Sequence, residues 1–189
     1  MKTLYIIVSA SDTIPARLIR KVTRAEYNHS SICFEDDFTT FYSFGRKHMW
    51  TPLIGGFIRE TPTTGVFGKY PNSKACVLSI ETDNEKYDSA RSYVEEMYKN
   101  RKKHKYNYMG VFLATFNKSF KRKKHFYCSE FVADVLLRFG IINNEELCKV
   151  VKPMDFFRLK STRVVYRGLM SDLIGEPKIE YNRTERAEI

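Results

Sequence analysis

The segment 125–140 most constrains the fold, because it carries the pattern of a helix with one buried face. Its apolar residues follow helical spacing, and they are Phe131, Val132, Val135, Leu136 and Phe139. Gly140 is placed to end the helix, since glycine takes the left-handed conformation that helix C-termini favour. The helix is predicted to begin near Cys128. Free backbone N–H groups and the positive end of the helix dipole lower a thiol pKa there.

Cys128 has two interpretations. It lies three and four positions before Phe131 and Val132, so it continues the apolar stripe and could be an ordinary core residue. The alternative is a reactive thiolate at a helix start, which needs a partner elsewhere in the chain.

Length and composition predict one folded domain over residues 1–174, followed by a loosely held tail at 175–189. The chain has 189 residues, of which 43% are apolar and 14% aromatic. Its four cysteines show no Cys-x-x-Cys spacing, which favours a reducing compartment over a zinc or dithiol site. The apolar run at 4–8 is too short for a signal peptide or a membrane span, so a cytoplasmic location is expected.

The formal net charge is +10, from 32 basic and 22 acidic residues, and much of the excess lies in two runs, 99–105 and 118–124. Such charge attracts nucleic acid, acidic lipid headgroups or anionic substrates without selecting among them. We interpret the first run as a solvated helix end or loop. The second directly precedes Cys128 and could raise the local electrostatic potential around the thiol.

The order of predicted elements is that of an α+β fold, with an antiparallel sheet and helices packed on it. Alternating and β-branched patterns predict strands at 4–9, 27–34, 38–44, 75–80 and 163–166, and a short one at 57–59 in an otherwise loop-like stretch, 45–68. Beside the Cys128 helix, helices are predicted from Asp12 or Thr13 to Thr23, after Thr82 or Asp83, at 106–116 and at 143–151.

His29 is the candidate partner for Cys128, because it interrupts a predicted strand between apolar-rich flanks. A histidine held by a sheet can act as the general base and ion-pair partner of a thiolate. The alternative is a histidine that is simply satisfied within the sheet. No second ligand stands at metal-binding spacing with His29, so neither a metal nor another cofactor is expected.

Two short segments carry a resemblance to a known family. Residues 23–32, around His29, resemble the histidine strand of the circularly permuted papain-like (NlpC-type) superfamily, and residues 126–132 resemble its nucleophile segment. Pro153-Met154-Asp155 resembles the proline-and-acid step downstream. By pattern the YiiX-like proteins are nearest, with poxviral and lecithin:retinol acyltransferase-like members further away. The resemblance covers roughly residues 4–166.

The resemblance implies a permuted papain-like fold and a cysteine hydrolase or acyltransferase. Cys128 would be the nucleophile and His29 the base, and the N–H of Cys128 would point to the developing oxyanion. Tyr27 and Tyr127, which lie in the two segments, are the candidate substrate-binding residues.

A third polar residue normally orients the histidine from a neighbouring strand in this superfamily. If the hairpin turns about Asp36, Ser43 lies opposite His29 and takes that role, although a hydroxyl cannot stabilise imidazolium as a carboxylate does. Glu35 is the alternative if the strand register differs.

Two functions of different class remain. One is a thiol-dependent enzyme that acts on an amide, ester or thioester of an acyl-containing small molecule, lipid or peptide through an acyl-cysteine intermediate. The other is a non-catalytic protein that binds lipid or nucleic acid through the same cleft or the basic runs. Nucleic acid is not expected, because neither helix-turn-helix spacing nor an aromatic RNA-binding motif is present. Peripheral membrane contact is compatible with Trp50, Phe57 and Phe67, which could wall a hydrophobic cleft or simply cover the core.

Overall fold

The fold is α+β, with one mixed sheet and helices. The computed structural model describes residues 1–10, 17, 21, 24–47 and 54–174. In these residues eight strands form the sheet: β1 (Lys2–Ala10), β2 (His29–Cys33), β3 (Phe41–Arg46), β4 (Gly55–Glu60), β5 (Lys74–Thr82), β6 (Lys105–Tyr106), β7 (His125–Phe126) and β8 (Thr162–Leu169). Their spatial order is β7-β6-β4-β3-β2-β1-β5-β8, and every neighbouring pair is antiparallel except β6 and β7.

Strand β1 has a continuous apolar run from Leu4 to Val8 because it lies in the middle of the sheet with both faces covered. It pairs with β2 on one side and β5 on the other. Leu4 and Ile6 face the larger part of the core, whereas Tyr5 and Ile7 face a second apolar layer on the opposite side. A strand covered on both faces has a continuous apolar run instead of an alternating one.

Four helices accompany the sheet in the described part of the chain: α1 (Gly65–Lys69), α2 (Asn84–Lys99), α3 (Tyr108–Thr115) and α4 (Cys128–Arg138). Helices α2 and α4 contribute apolar side chains to the larger core, and α4 packs against β2 and β3. The predicted end of α4 is confirmed, because Gly140 follows the C-cap Phe139 with a φ of +60°. None of the helices in these residues is long and apolar enough to cross a membrane.

The predicted strands are all present, but the segment 45–68 is more ordered than its glycine and proline content indicates. It contains the whole of β4 and the short helix α1. The predicted helix at 143–151 is wrong beyond one 3₁₀ turn, Asn144–Glu146. Two neighbouring valines of this segment pack in different places: Val151 packs into the larger core, while Val150 packs on Tyr127. A single helical face could not serve both contacts.

Some predictions lie outside the described residues. They are the first helix, apart from the helical residues Arg17 and Lys21, together with Trp50 and the tail at 175–189.

Candidate active site

Cys128 and His29 lie together where two elements begin. Cys128 is the first residue of α4 and His29 the first residue of β2, and the packing of α4 on this strand brings the thiol to the imidazole. The thiol and the imidazole lie close enough that each is among the groups that shift the pKa of the other. Cys128 is buried, and the His29 side chain is partly buried, with 18% of it exposed.

The other side of the imidazole faces a carboxylate that the sequence analysis did not identify. Glu60, the last residue of β4, places Oε2 3.0 Å and Oε1 3.1 Å from His29 Nε2. Ser31 Oγ donates to Glu60 Oε2 over 2.7 Å and holds the carboxylate in place. Since Nε2 is engaged by Glu60, Nδ1 is the ring nitrogen left for Cys128. The arrangement is a carboxylate, an imidazole and a thiol in sequence.

The two central groups shift each other's protonation equilibria. Burial alone would lower the pKa of His29, but the charge of Glu60 and the hydrogen bonds to Cys128 and Glu60 outweigh burial and raise it well above its ordinary value. Burial alone would raise the pKa of Cys128. The hydrogen bond and positive charge of His29, with backbone hydrogen bonds from Ser30 and Ser129, lower that pKa instead. Both shifts favour a thiolate–imidazolium pair over the neutral pair.

The start of α4 presents backbone N–H groups at the thiol. The first helical hydrogen bond runs from Phe131 N–H to Tyr127 O over 3.0 Å, so the N–H groups of Cys128 and Ser129 have no carbonyl partner within the helix. Ser129 Oγ donates to Val151 O over 2.7 Å and anchors this first turn. Such N–H groups are suited to stabilise both a thiolate and an oxyanion beside it.

The expected position of Ser43 opposite His29 is wrong. Ile32 pairs with Tyr42, which places Ser43 opposite Ser31 and shifts the hairpin by two residues from the predicted register. The buried Ser43 Oγ donates to Ser30 O over 2.6 Å, so it supports the strand that carries His29 and leaves the imidazole to Glu60.

The register differs because the hairpin is not a tight turn about Asp36. Asp37 Oδ1 accepts hydrogen bonds of 3.0 Å from both N–H and Oγ of Thr39, and Phe38 has a φ of +52°. The ring of Phe38 packs edge-on against Tyr5 with centroids 5.0 Å apart. Glu35, the other expected partner, instead forms an ion pair with Arg91.

Glu60 of β4 contacts His29 of β2 across the strand that lies between them, β3. This strand carries the small residues Ser43 and Gly45, where larger side chains would project. A Cβ on Gly45 would lie 2.7 Å from Ile58 Cδ1 and 3.7 Å from His29 Cε1, so the Ile58 side chain occupies that space beside the imidazole. Glu60 follows directly after the short strand predicted at 57–59, and no pattern in the sequence connected it with His29.

The tyrosines near the predicted site occupy different positions. Tyr27 is a core residue whose ring stacks on Phe157 with centroids 5.8 Å apart, and Tyr127 is buried against Ala114 and Val150. Tyr106, which the sequence analysis did not single out, lies within electrostatic range of the thiol. Burial, reinforced by the charge on Cys128, raises the pKa of Tyr106 well above its ordinary value. Substrate binding by Tyr27 and Tyr127 stays a prediction.

Cys128 differs from the other three cysteines. Burial raises the pKa of Cys33 and of Cys76 to about 12, while Cys148 is exposed. In the part of the chain that the structure describes, no group of three His, Cys, Asp or Glu side chains is arranged to hold a metal ion.

Comparison with protein-family models and curated sequences does not assign the chain to a family. No protein-family model matches it, and a search of curated proteins finds no similar sequence.

Proposed function

We propose that the protein is a thiol-dependent hydrolase or acyltransferase that cleaves an amide, ester or thioester bond. Cys128 is the nucleophile, His29 the general base and acid, and Glu60 the residue that orients His29. The observation that supports this most is the contact sequence Glu60–His29–Cys128 at the start of α4.

In the proposed reaction the Cys128 thiolate attacks the acyl carbon and forms the S–C bond. The carbonyl electron pair moves onto oxygen, where the N–H of Cys128 donates to it. As the tetrahedral intermediate collapses, the bond to the leaving group breaks and the imidazolium of His29 gives that group its proton. Water or another nucleophile then attacks the acyl carbon of the acyl-cysteine, and His29 accepts its proton. The S–C bond breaks, which releases the acyl product and restores the Cys128 thiolate beside imidazolium.

The first test is the pH dependence of iodoacetamide alkylation, followed at each cysteine separately by mass spectrometry. Cys128 of the wild type is expected to react well below the ordinary thiol pKa of about 8.5. In His29→Ala, burial still opposes the thiolate while the imidazolium is gone, so the reaction is expected to need a higher pH.

The chain supplies its own reference thiols. Cys148 is exposed and should react alike in both proteins, and the buried Cys33 and Cys76 should stay unreactive while the fold is intact. Equal reactivity of Cys128 in wild type and His29→Ala would refute the assembled pair.

The second test traps the intermediate. A panel of activated acyl esters and thioesters is expected to leave the mass of one acyl group on Cys128, and Cys128→Ala should carry none. Another outcome is that Cys128 of the wild type reacts with iodoacetamide at low pH but never forms an acyl adduct. If Cys128→Ala then also binds lipid as well as the wild type does, the non-catalytic binding function is favoured instead.

A further inference from the structure

Helix α3 and the segment after it expose an unusual set of apolar side chains. Five of the large hydrophobic residues that are exposed in the described part of the chain belong here, and they are Tyr108, Met109, Phe112, Phe116 and Phe120. Phe112 and Phe116 are 60% and 62% exposed, and their rings contact each other with centroids 5.5 Å apart. We call this surface, formed by the five residues, the α3 face. Contiguous exposed apolar residues of this kind mark an interaction site.

The α3 face lies within the most basic part of the chain. No acidic residue occurs from 97 to 129, whereas ten of the 32 lysines and arginines do. The remaining 22 basic residues are balanced by 22 acidic ones, so this stretch accounts for the whole formal excess of +10. All residues from 116 to 124 are exposed, including five that are basic: Lys118, Lys121, Arg122, Lys123 and Lys124.

We propose that the α3 face docks onto the surface of an anionic lipid bilayer. Exposed phenylalanine and methionine side chains would insert among acyl chains, and the neighbouring lysines and arginines would bind headgroup phosphates. The combination of both features favours lipid over a nucleic-acid duplex, because the phosphate backbone of a duplex attracts the lysines but leaves Phe112 and Phe116 without an apolar environment. A bilayer surface satisfies charge and apolar area together.

Hydrogen bonds of Asn107 join the α3 face to the segment that leads into Cys128. Asn107 Oδ1 accepts from Gly110 N–H over 3.0 Å at the start of α3, and its Nδ2 donates to Phe120 O over 2.7 Å. Its main-chain N–H donates to Phe126 O over 2.9 Å. The face and the basic segment therefore form one surface, and a docked bilayer would lie beside the residues that open α4.

The packing beneath the α3 face also connects it to Cys128. Ala114, on the inner side of α3, contacts Tyr127, the residue directly before Cys128. The docking itself requires no thiol chemistry, so Cys128→Ala is expected to bind vesicles like the wild type. Vesicle binding therefore tests the α3 face independently of the proposed reaction.

The test is co-flotation of the full chain with phosphatidylcholine vesicles, with and without phosphatidylserine. Binding is expected only with phosphatidylserine, and it should weaken as salt is added. A double substitution of Phe112 and Phe116 to Ser is expected to weaken binding by about tenfold. A charge reversal of Lys118 and Lys123 to Glu is expected to weaken it by at least about 25-fold, since each of the two basic residues near an anionic surface contributes about fivefold (about 1 kcal/mol).

Matched controls lie at the opposite edge of the sheet. Leu169→Ser with Ile174→Ser removes exposed apolar residues near β8, and Lys74→Glu with Lys160→Glu reverses exposed charges there. Both control pairs should bind vesicles like the wild type. Thermal unfolding of every variant checks that the fold is retained. We expect it to be retained, because the substituted residues are exposed.

Four results would overturn the proposal. The first is equal binding to both vesicle types, and the second is binding that the substitutions at Phe112 and Phe116 leave unchanged. The third is a stable dimer in solution that the same two substitutions dissociate, which would assign the α3 face to a second copy of the chain. An oligonucleotide that binds this surface with no contribution from Phe112 and Phe116, in a protein that fails to float, would assign it to nucleic acid.

Discussion

Replacement of Glu60 by Gln tests the chemistry of the site most directly, because it removes a charge and keeps the shape. The carboxylate is 3.0 Å from His29 Nε2, and its charge is the largest of the contributions that raise the pKa of His29. An amide can still accept a hydrogen bond from Nε2–H. It cannot stabilise imidazolium, so the thiolate–imidazolium pair becomes less favourable relative to the neutral pair.

The magnitude follows from the distance and the surroundings. Two unit charges 3.0 Å apart interact by on the order of 5 kcal/mol at an effective dielectric constant of about 20. The side chains of His29 and Glu60 are 18% and 11% exposed, so solvent reduces this value, and the retained hydrogen bond contributes about 1 kcal/mol. A loss of about 3 kcal/mol remains. It corresponds to roughly a hundredfold fall in the reactivity of Cys128 at pH about 6, since 1.36 kcal/mol is a factor of ten.

The assay is site-resolved alkylation of Cys128 across pH, with Cys148 as the reference thiol in the same molecule. Glu81→Gln is the matched control, since Glu81 faces Arg163 at 3.9 Å on an exposed edge far from the thiol. The control should alkylate like the wild type. If Glu60→Gln also does so at pH about 6, Glu60 does not supply the charge that stabilises the pair, and the reasoning from the 3.0 Å contact is refuted.

Two further predictions concern stability. Ser43→Ala is expected to lower the free energy of unfolding by about 1 kcal/mol, because Ser30 O loses a buried hydrogen bond, and to leave Cys128 alkylation nearly unchanged. A loss of alkylation comparable to that of Glu60→Gln would restore Ser43 as the orienting residue. The control is Ser79→Ala, since the Ser79 hydroxyl makes only a 3.4 Å contact. Gly140→Ala is expected to lower the free energy of unfolding, measured in urea, by about 1 kcal/mol. A left-handed φ of +60° is strained for alanine even though open space surrounds the position. A gain in stability would contradict the helix-ending role of Gly140.

Local patterns in the sequence were sufficient for the elements that carry the site. The helical spacing after Cys128 and the glycine at 140 predicted α4 within a residue at its start, and the apolar run at 4–9 predicted the central strand. The association of His29 with Cys128 came from the resemblance of two short segments. Nothing in the spacing of a strand and a helix 99 residues apart specifies that they pack together.

The features that the sequence described less well depend on tertiary contacts. The short β6 and β7 strands have two residues each, too few for any periodicity, and they exist because they pair with β4 and with each other. The apolar segment at 106–116 was correctly predicted as helix, but its composition alone indicates a buried helix. Only the structure shows that Phe112 and Phe116 are exposed, which is the observation behind the docking surface.

The orienting residue was missed for a reason that lies in strand geometry. Side chains alternate between the two faces of a sheet, so a register error of one residue exchanges the faces and conflicts with the hydrophobic pattern. An error of two residues leaves every side chain on its proper face, and no alternation of apolar and polar residues can detect it. The actual register of β2 and β3 is set by the loop in which Asp37 binds Thr39, and it places Ser43 opposite Ser31 instead of His29. Glu60 then reaches His29 from a strand that is not its neighbour. Pairwise hairpin reasoning considers only adjacent strands, so it could not have found this carboxylate.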